Sequence, residues 1–199
     1  MADRLPMLTP DELDEDQQAV HRQIAGGRRA EGPQLFALTD DDGALHGPFN
    51  ALLHAPEVGG ALGRLGEAIR YRSSLSDRVR EIAILTVAAH HRSDFEWYAH
   101  ARVGAHVGLT EDEIQRIRRL GPLEGPPEET LAYDLCRAAL ADRAISDDLH
   151  DGAVGQLGRT AVVELVMLVG YYQALALLLS VFGVPSPEPV TWPDTSRPG

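Results

Sequence analysis

Between Thr9 and Gly183 the chain is punctuated by helix starts and stops at short intervals, and no run of alternating apolar and polar residues reads as a strand. Thr9 with Pro10 and Glu12 makes a capping box with proline at the first helical position, and the helix it opens stops at Gly26-Gly27. Pro48 begins a helical region to Arg72, restarted by Pro56 after a bend. Ser76 with Asp77 caps a helix running to about His90. Ser93 with Glu96, and Thr110 with Glu113, form two more capping boxes; their helices end near Gly108 and at Gly121-Pro122. Pro127 opens a helix to about Asp142, Ser146 a short one, and Thr160 a long one to Phe182 that Gly183 and Pro185 stop. This pattern predicts an all-α protein, a compact helical bundle of about seven to nine helices.

At 199 residues the chain is expected to be a single domain with a sizeable core. The run IAILTVAA after Glu81 is apolar on every face, which predicts a buried helix. Leu165–Gly183 is about long enough to cross a bilayer, but Glu164 at its start and Gln173 at its middle favour a central bundle or oligomer helix, so no membrane is expected. Residues 28–47 read as loop, a candidate lid; residues 185–199 read as a loose tail.

Charge narrows the partners. Thirty acids against 18 bases give −12, a surface that phosphates repel, so nucleic acid is not expected. All 18 bases are arginine. Without lysine there is no Schiff-base or internal-aldimine chemistry and no P-loop lysine. Cys136 is the only cysteine, which excludes an internal disulfide, a CxxC couple and a multi-cysteine zinc site. The opening MADRLPMLTPDELDED is acidic and carries no apolar stretch, so the expected address is cytoplasmic.

The chemistry-bearing stretch runs from Glu81 through Ser93 and Glu96 to His100. Glu96 and His100 are four apart on one helix and share a face. Glu96 lies in the first turn, where the macrodipole favours an anion. Glu81 heads the buried run, where a carboxylate turns outward or needs a partner. If the two helices pack antiparallel, Glu81 reaches the same cleft as His100, and the three groups make a general acid–base site. Simpler roles compete: Glu96 as a helix cap alone, Glu81 as a partner of Arg78, His100 as a structural histidine. His90, His91 and His100 do not make a metal site, since adjacent histidines face different ways and no HExxH is present.

The stretch Gly47–Gly183 resembles the carboxymuconolactone decarboxylase and alkylhydroperoxidase D superfamily. The resemblance rests on LSDRVREIAILTVA, DFEWYAHARVGAHVGLTEDEI and ELVMLVGYYQALALLLSVFGV. It rests also on the spacing of the family's thiol branch: a Glu, then Cys-x-x-Cys-x-x-x-His twelve residues on. Here the outer residues match as Glu81 and His100, while Ser93 and Glu96 occupy the cysteine positions. A serine can neither attack nor resolve a peroxide as a thiolate does, so the thiol peroxidase reading is disfavoured.

The resemblance then implies a cofactor-independent lyase, a decarboxylase or isomerase, acting on a small oxygenated carboxylic acid or lactone. Glu81, Glu96 and His100 would be catalytic. Ser93, Arg92, Arg102, His46 and Tyr171 (or Tyr172) are weaker candidates for substrate contact, and the segment 33–47 with Phe36, Asp40–Asp42 and His46 is the candidate lid. No cofactor or metal is expected, and the chain is expected to be a homo-oligomer, a trimer or hexamer. The alternative is a non-catalytic helical scaffold that binds a ligand or partner.

Overall fold

The computed structural model describes residues 4–31, 34–141 and 144–193. Among the described residues there are nine α-helices: α1 (Glu15–Ala25), α2 (Pro48–Leu53), α3 (Pro56–Arg72), α4 (Asp77–His91), α5 (Asp94–His106), α6 (Glu111–Arg118), α7 (Pro127–Leu140), α8 (Asp147–Leu157) and α9 (Arg159–Phe182). The only β pairing among them is an isolated bridge between Thr39 and Leu45. The all-α class read from the punctuation is the one the chain adopts. The helix starts are made as the residue types dictate: Ser76 Oγ accepts from the Val79 N–H, Ser146 Oγ from Leu149, and Thr110 and Glu113 close their box reciprocally. The expected end of α7 at Asp142 lies outside the described residues.

Two expectations are corrected. Thr9 and Glu12 do pair, with the Glu12 carboxylate accepting from the Thr9 N–H and Oγ, but they hold only a 3-10 turn at Pro10–Glu12. Leu13 is extended there, and Asp14 opens α1 with a box of its own to Gln17. Residues 28–47 are mostly loop (Gly32 and Pro33 lie outside the described residues), fastened at a few points. Arg28–Ala30 forms a 3-10 turn, and Asp40 Oδ1 accepts from the N–H groups of Asp42 and Ala44 to lock a tight reversal. Leu45, fully buried, anchors that reversal in the core. The tail is not loose as far as Pro193. Trp192 donates to Asp94 Oδ1 at 2.6 Å and meets the Trp97 ring edge-on, with centroids 5.4 Å apart, while Glu188 pairs with Arg102. Residues 194–199 lie outside the described residues.

The chain divides into two units. The first comprises residues up to Ser73 with Ala174–Pro185. Its core is Leu13, Val20, Ile24, Leu45, Phe49, Leu52 and Leu53, from α1, α2 and the segments before and between them. Gly59 is fixed by packing: a Cβ there would sit 2.1 Å from the Leu52 carbonyl oxygen, so α3 follows α2 this tightly only with glycine.

The second unit comprises Ser74–Gln173 with the segment from Ser186. Its centre is α4, packed against α5, α6 and α7. Apart from Arg80, every residue from Val79 to Ala89 is buried, as a helix apolar on all faces requires. Arg78 ties this unit together. It makes a bidentate pair with Glu129 of α7, a bond to Glu113 of α6 and one to the Gly108 carbonyl. The long helix α9 is apolar enough to span a bilayer by composition alone, and within this chain it is only partly buried. Leu165, Leu168, Leu175 and Leu179 are buried while Val163, Val166, Met167, Leu177 and Val181 are exposed.

Candidate active site

Helix α4 runs into α5 through Arg92 and Ser93. Arg92 adopts the left-handed conformation (φ 50°, ψ 45°) and its N–H bonds to the carbonyls that close α4, so the chain reverses within two residues and α5 packs back on α4. The reversal brings Glu81, fully buried, against His100, which is 4% exposed. His100 Nδ1 lies 2.7 Å from Glu81 Oε2. On the other side of the ring, Nε2 lies 3.6 Å from Glu96 Oε2, within ion-pair reach but beyond a direct hydrogen bond. The imidazole thus stands between two buried carboxylates, one bonded and one held back. Tyr172 of α9 packs edge-on against the His100 ring (centroids 5.2 Å apart, planes at 89°), and Tyr171 packs likewise on Tyr172.

The electrostatic logic is direct. A carboxylate sealed among apolar side chains is costly unless it is paired and hydrogen-bonded. Glu81 meets that requirement on Oε2 through His100. Its Oε1 has no hydrogen bond and faces Arg80 Nε at 3.9 Å. Accepting the Nδ1–H, Glu81 fixes the neutral imidazole as the tautomer whose Nε2 lone pair is available, and Nε2 faces Glu96. The group can take a proton at Nε2, hold it against Glu96, and return it.

The Ser93–Glu96 capping box does not form. Ser93 sits at the N-cap but its Oγ, buried, makes no hydrogen bond, and the Glu96 side chain is turned toward His100 instead. Arg102 is committed to the Tyr98 carbonyl, the Tyr98 ring (4.0 Å) and Glu188. Arg92 is exposed and bonds to the Pro193 carbonyl. His46 belongs to the first unit, where its N–H donates to the Leu38 carbonyl. The sequence reading thus gathered the three central residues, while it overlooked Arg80. The only signal for Arg80 is adjacency to Glu81, and neighbours on a helix point about 100° apart, so the helical wheel does not single it out. Cys136 is buried in α7, and burial pushes its thiol up to about 12, far from a reactive thiolate at neutral pH.

Residues 56–134 match the model of the carboxymuconolactone decarboxylase family. No curated protein sequence matches the chain. Among solved structures, the chain is similar to an uncharacterized peroxidase-related protein from Ralstonia eutropha with an alkylhydroperoxidase AhpD core. That likeness has TM-score 0.72 and 12% identity, covering 92% of this chain and 91% of that one. It is similar also to the debrominase Bmp8 in its apo form, with TM-score 0.70 and 11% identity, over 94% and 92% of the two chains. A protein of unknown function from Agrobacterium tumefaciens aligns with TM-score 0.63 and 18% identity, over 70% of this chain and 97% of that one. At these identities the likenesses establish a shared fold.

Proposed function

We propose that this chain, a member of the carboxymuconolactone decarboxylase and alkylhydroperoxidase D-like superfamily, is a cofactor-independent acid–base lyase or isomerase acting on a small oxygenated carboxylic acid or lactone. The observation that carries this reading is the buried Glu81–His100–Glu96 array, with one carboxylate bonded to Nδ1 and the other facing Nε2. In a decarboxylation beside a carbonyl, the C–C bond to the carboxylate breaks, CO2 leaves, and the electron pair stays as a dienolate. His100 Nε2, protonated, stabilises the developing oxyanion, and the dienolate carbon takes a proton from His100 or from protonated Glu96. In an isomerisation, Nε2 removes the proton α to the carbonyl and returns it to the far end of the enolate. Glu81 is a positioning residue that holds the ring.

Two observations weigh against thiol-based peroxide reduction: serine and glutamate stand at the two cysteine positions, and the Cys136 thiol is buried with its acidity suppressed. The same reading carries a cytoplasmic setting and a homo-oligomer.

Turnover of a panel of carboxylated and uncarboxylated lactones tests it. His100→Ala is expected to lower kcat by about 10²–10³, as loss of an oxyanion donor does, while helical content and melting stay near wild type. Glu81→Gln, nearly isosteric, is expected to depress kcat as well, because the amide cannot be an anion for Nδ1. Turnover indifferent to His100 favours the ligand-binding scaffold instead.

A further inference from the structure

Among the described residues, six buried side-chain polar atoms have no hydrogen-bond partner, and three belong to consecutive or neighbouring parts of the candidate site: Arg80 Nε, Glu81 Oε1 and Ser93 Oγ. Two of these face each other. Arg80 Nε, a donor, lies 3.9 Å from Glu81 Oε1, an acceptor, which is too far for a direct bond. The Arg80 side chain is 13% exposed; one end of its guanidinium is held by Asp77 at 2.5 Å, and Asp77 is itself mostly solvent-exposed. Arg80 therefore runs from the surface to the sealed carboxylate, and its inner N–H is left for a ligand.

Resting on the proposed function, we infer that Arg80 and Glu81 form a two-point subsite for one hydroxyl group of the substrate. A single O–H satisfies both atoms, accepting from Nε–H and donating to Oε1, and an oxygen at ordinary hydrogen-bond length from each fits a 3.9 Å gap. A carboxylate there would accept from Arg80 but turn a second anion toward Glu81, with no proton to offer it. The subsite thus selects hydroxylated or enolic substrates and rejects a carboxylate at that point. Oε2 of the same carboxylate holds His100 Nδ1, so the subsite oxygen Oε1 and the imidazole share one carboxylate.

The test follows the Arg80 Nε–H and His100 ring-nitrogen NMR signals of the full chain during titration with three probes: α-hydroxy-γ-butyrolactone, γ-butyrolactone, and γ-butyrolactone-γ-carboxylic acid. The hydroxylated lactone is expected to move both signals; the plain lactone is expected to move His100 alone. Arg80→Gln is expected to weaken the hydroxylated lactone about tenfold, the equivalent of one hydrogen bond, and to leave the plain lactone unchanged. Arg80→Lys, which keeps a cation for Asp77 but lacks the guanidinium Nε–H, is the control for folding and should lose the same preference. A hydroxylated lactone that moves His100 but not Arg80 overturns the subsite and leaves the acid–base reading intact. A carboxylated lactone that moves Arg80 as strongly as the hydroxylated one overturns the selectivity. Silence of both signals with all three probes overturns the subsite together with the lactone reading.

Discussion

Glu96 and Ser93 show how far residue identity goes. In sequence they make a complete capping box; in the fold neither side chain caps, because Glu96 has a buried imidazole to face and Ser93 Oγ is left without a bond. Two outcomes follow. Ser93→Ala removes no cap bond and should leave the unfolding free energy unchanged or slightly raised, whereas Ser76→Ala, which loses a real cap, should cost about 1 kcal/mol in denaturant titrations. Glu96→Gln should depress kcat in the lactone assays while the melting temperature holds, since a glutamine can close a box but cannot carry a proton as a carboxyl does. Cys136 gives the opposite case. Burial holds its thiol protonated up to about 12, so a thiol reagent at neutral pH should label it only as fast as the protein unfolds, and Cys136→Ala should keep activity within a few-fold.

At the scale of elements, the helices of the second unit are joined by charge as much as by apolar packing. Glu113 is the informative group. Burial works against its charge, but the Thr110 N–H, the Thr110 hydroxyl and the Arg78 guanidinium outweigh burial and hold its carboxyl below the ordinary range. A carboxyl whose acidity is raised by folding contributes stability above its unfolded pKa, and that contribution is lost as pH falls through the folded value. Glu113→Gln should therefore lower the melting temperature at pH 7, and the gap to wild type should close on acidification below about pH 4. A gap that stays constant with pH would contradict a contribution carried by the charge of Glu113.

For the whole molecule, the exposed face of α9 is the outstanding feature. Val163, Val166, Met167, Leu177 and Val181 are each about half exposed or more, on one helix of a strongly acidic chain. Such apolar exposure marks an association surface. Sedimentation is expected to show a homo-oligomer, a trimer or hexamer, and Val166→Glu with Met167→Glu should shift it toward monomer without loss of helix. A wild-type chain that sediments as a stable monomer at micromolar concentration contradicts this.

Helix positions were legible because their causes are local: a serine before an acidic turn, a proline at the first position and a glycine at the end act within a few residues of chain. The candidate site was legible in part for the same reason, since Glu96 and His100 sit one turn apart. Three things were decided only by tertiary structure. The reversal at Arg92-Ser93 set Glu81 against His100, whose other ring nitrogen faces Glu96. Trp192 docked on Trp97 and Asp94, fastening a tail whose proline-rich composition read as loose. And Arg80, one residue from Glu81 and about 100° away on the helical wheel, reaches to within 3.9 Å of it, because a long flexible side chain takes its direction from the charge it finds.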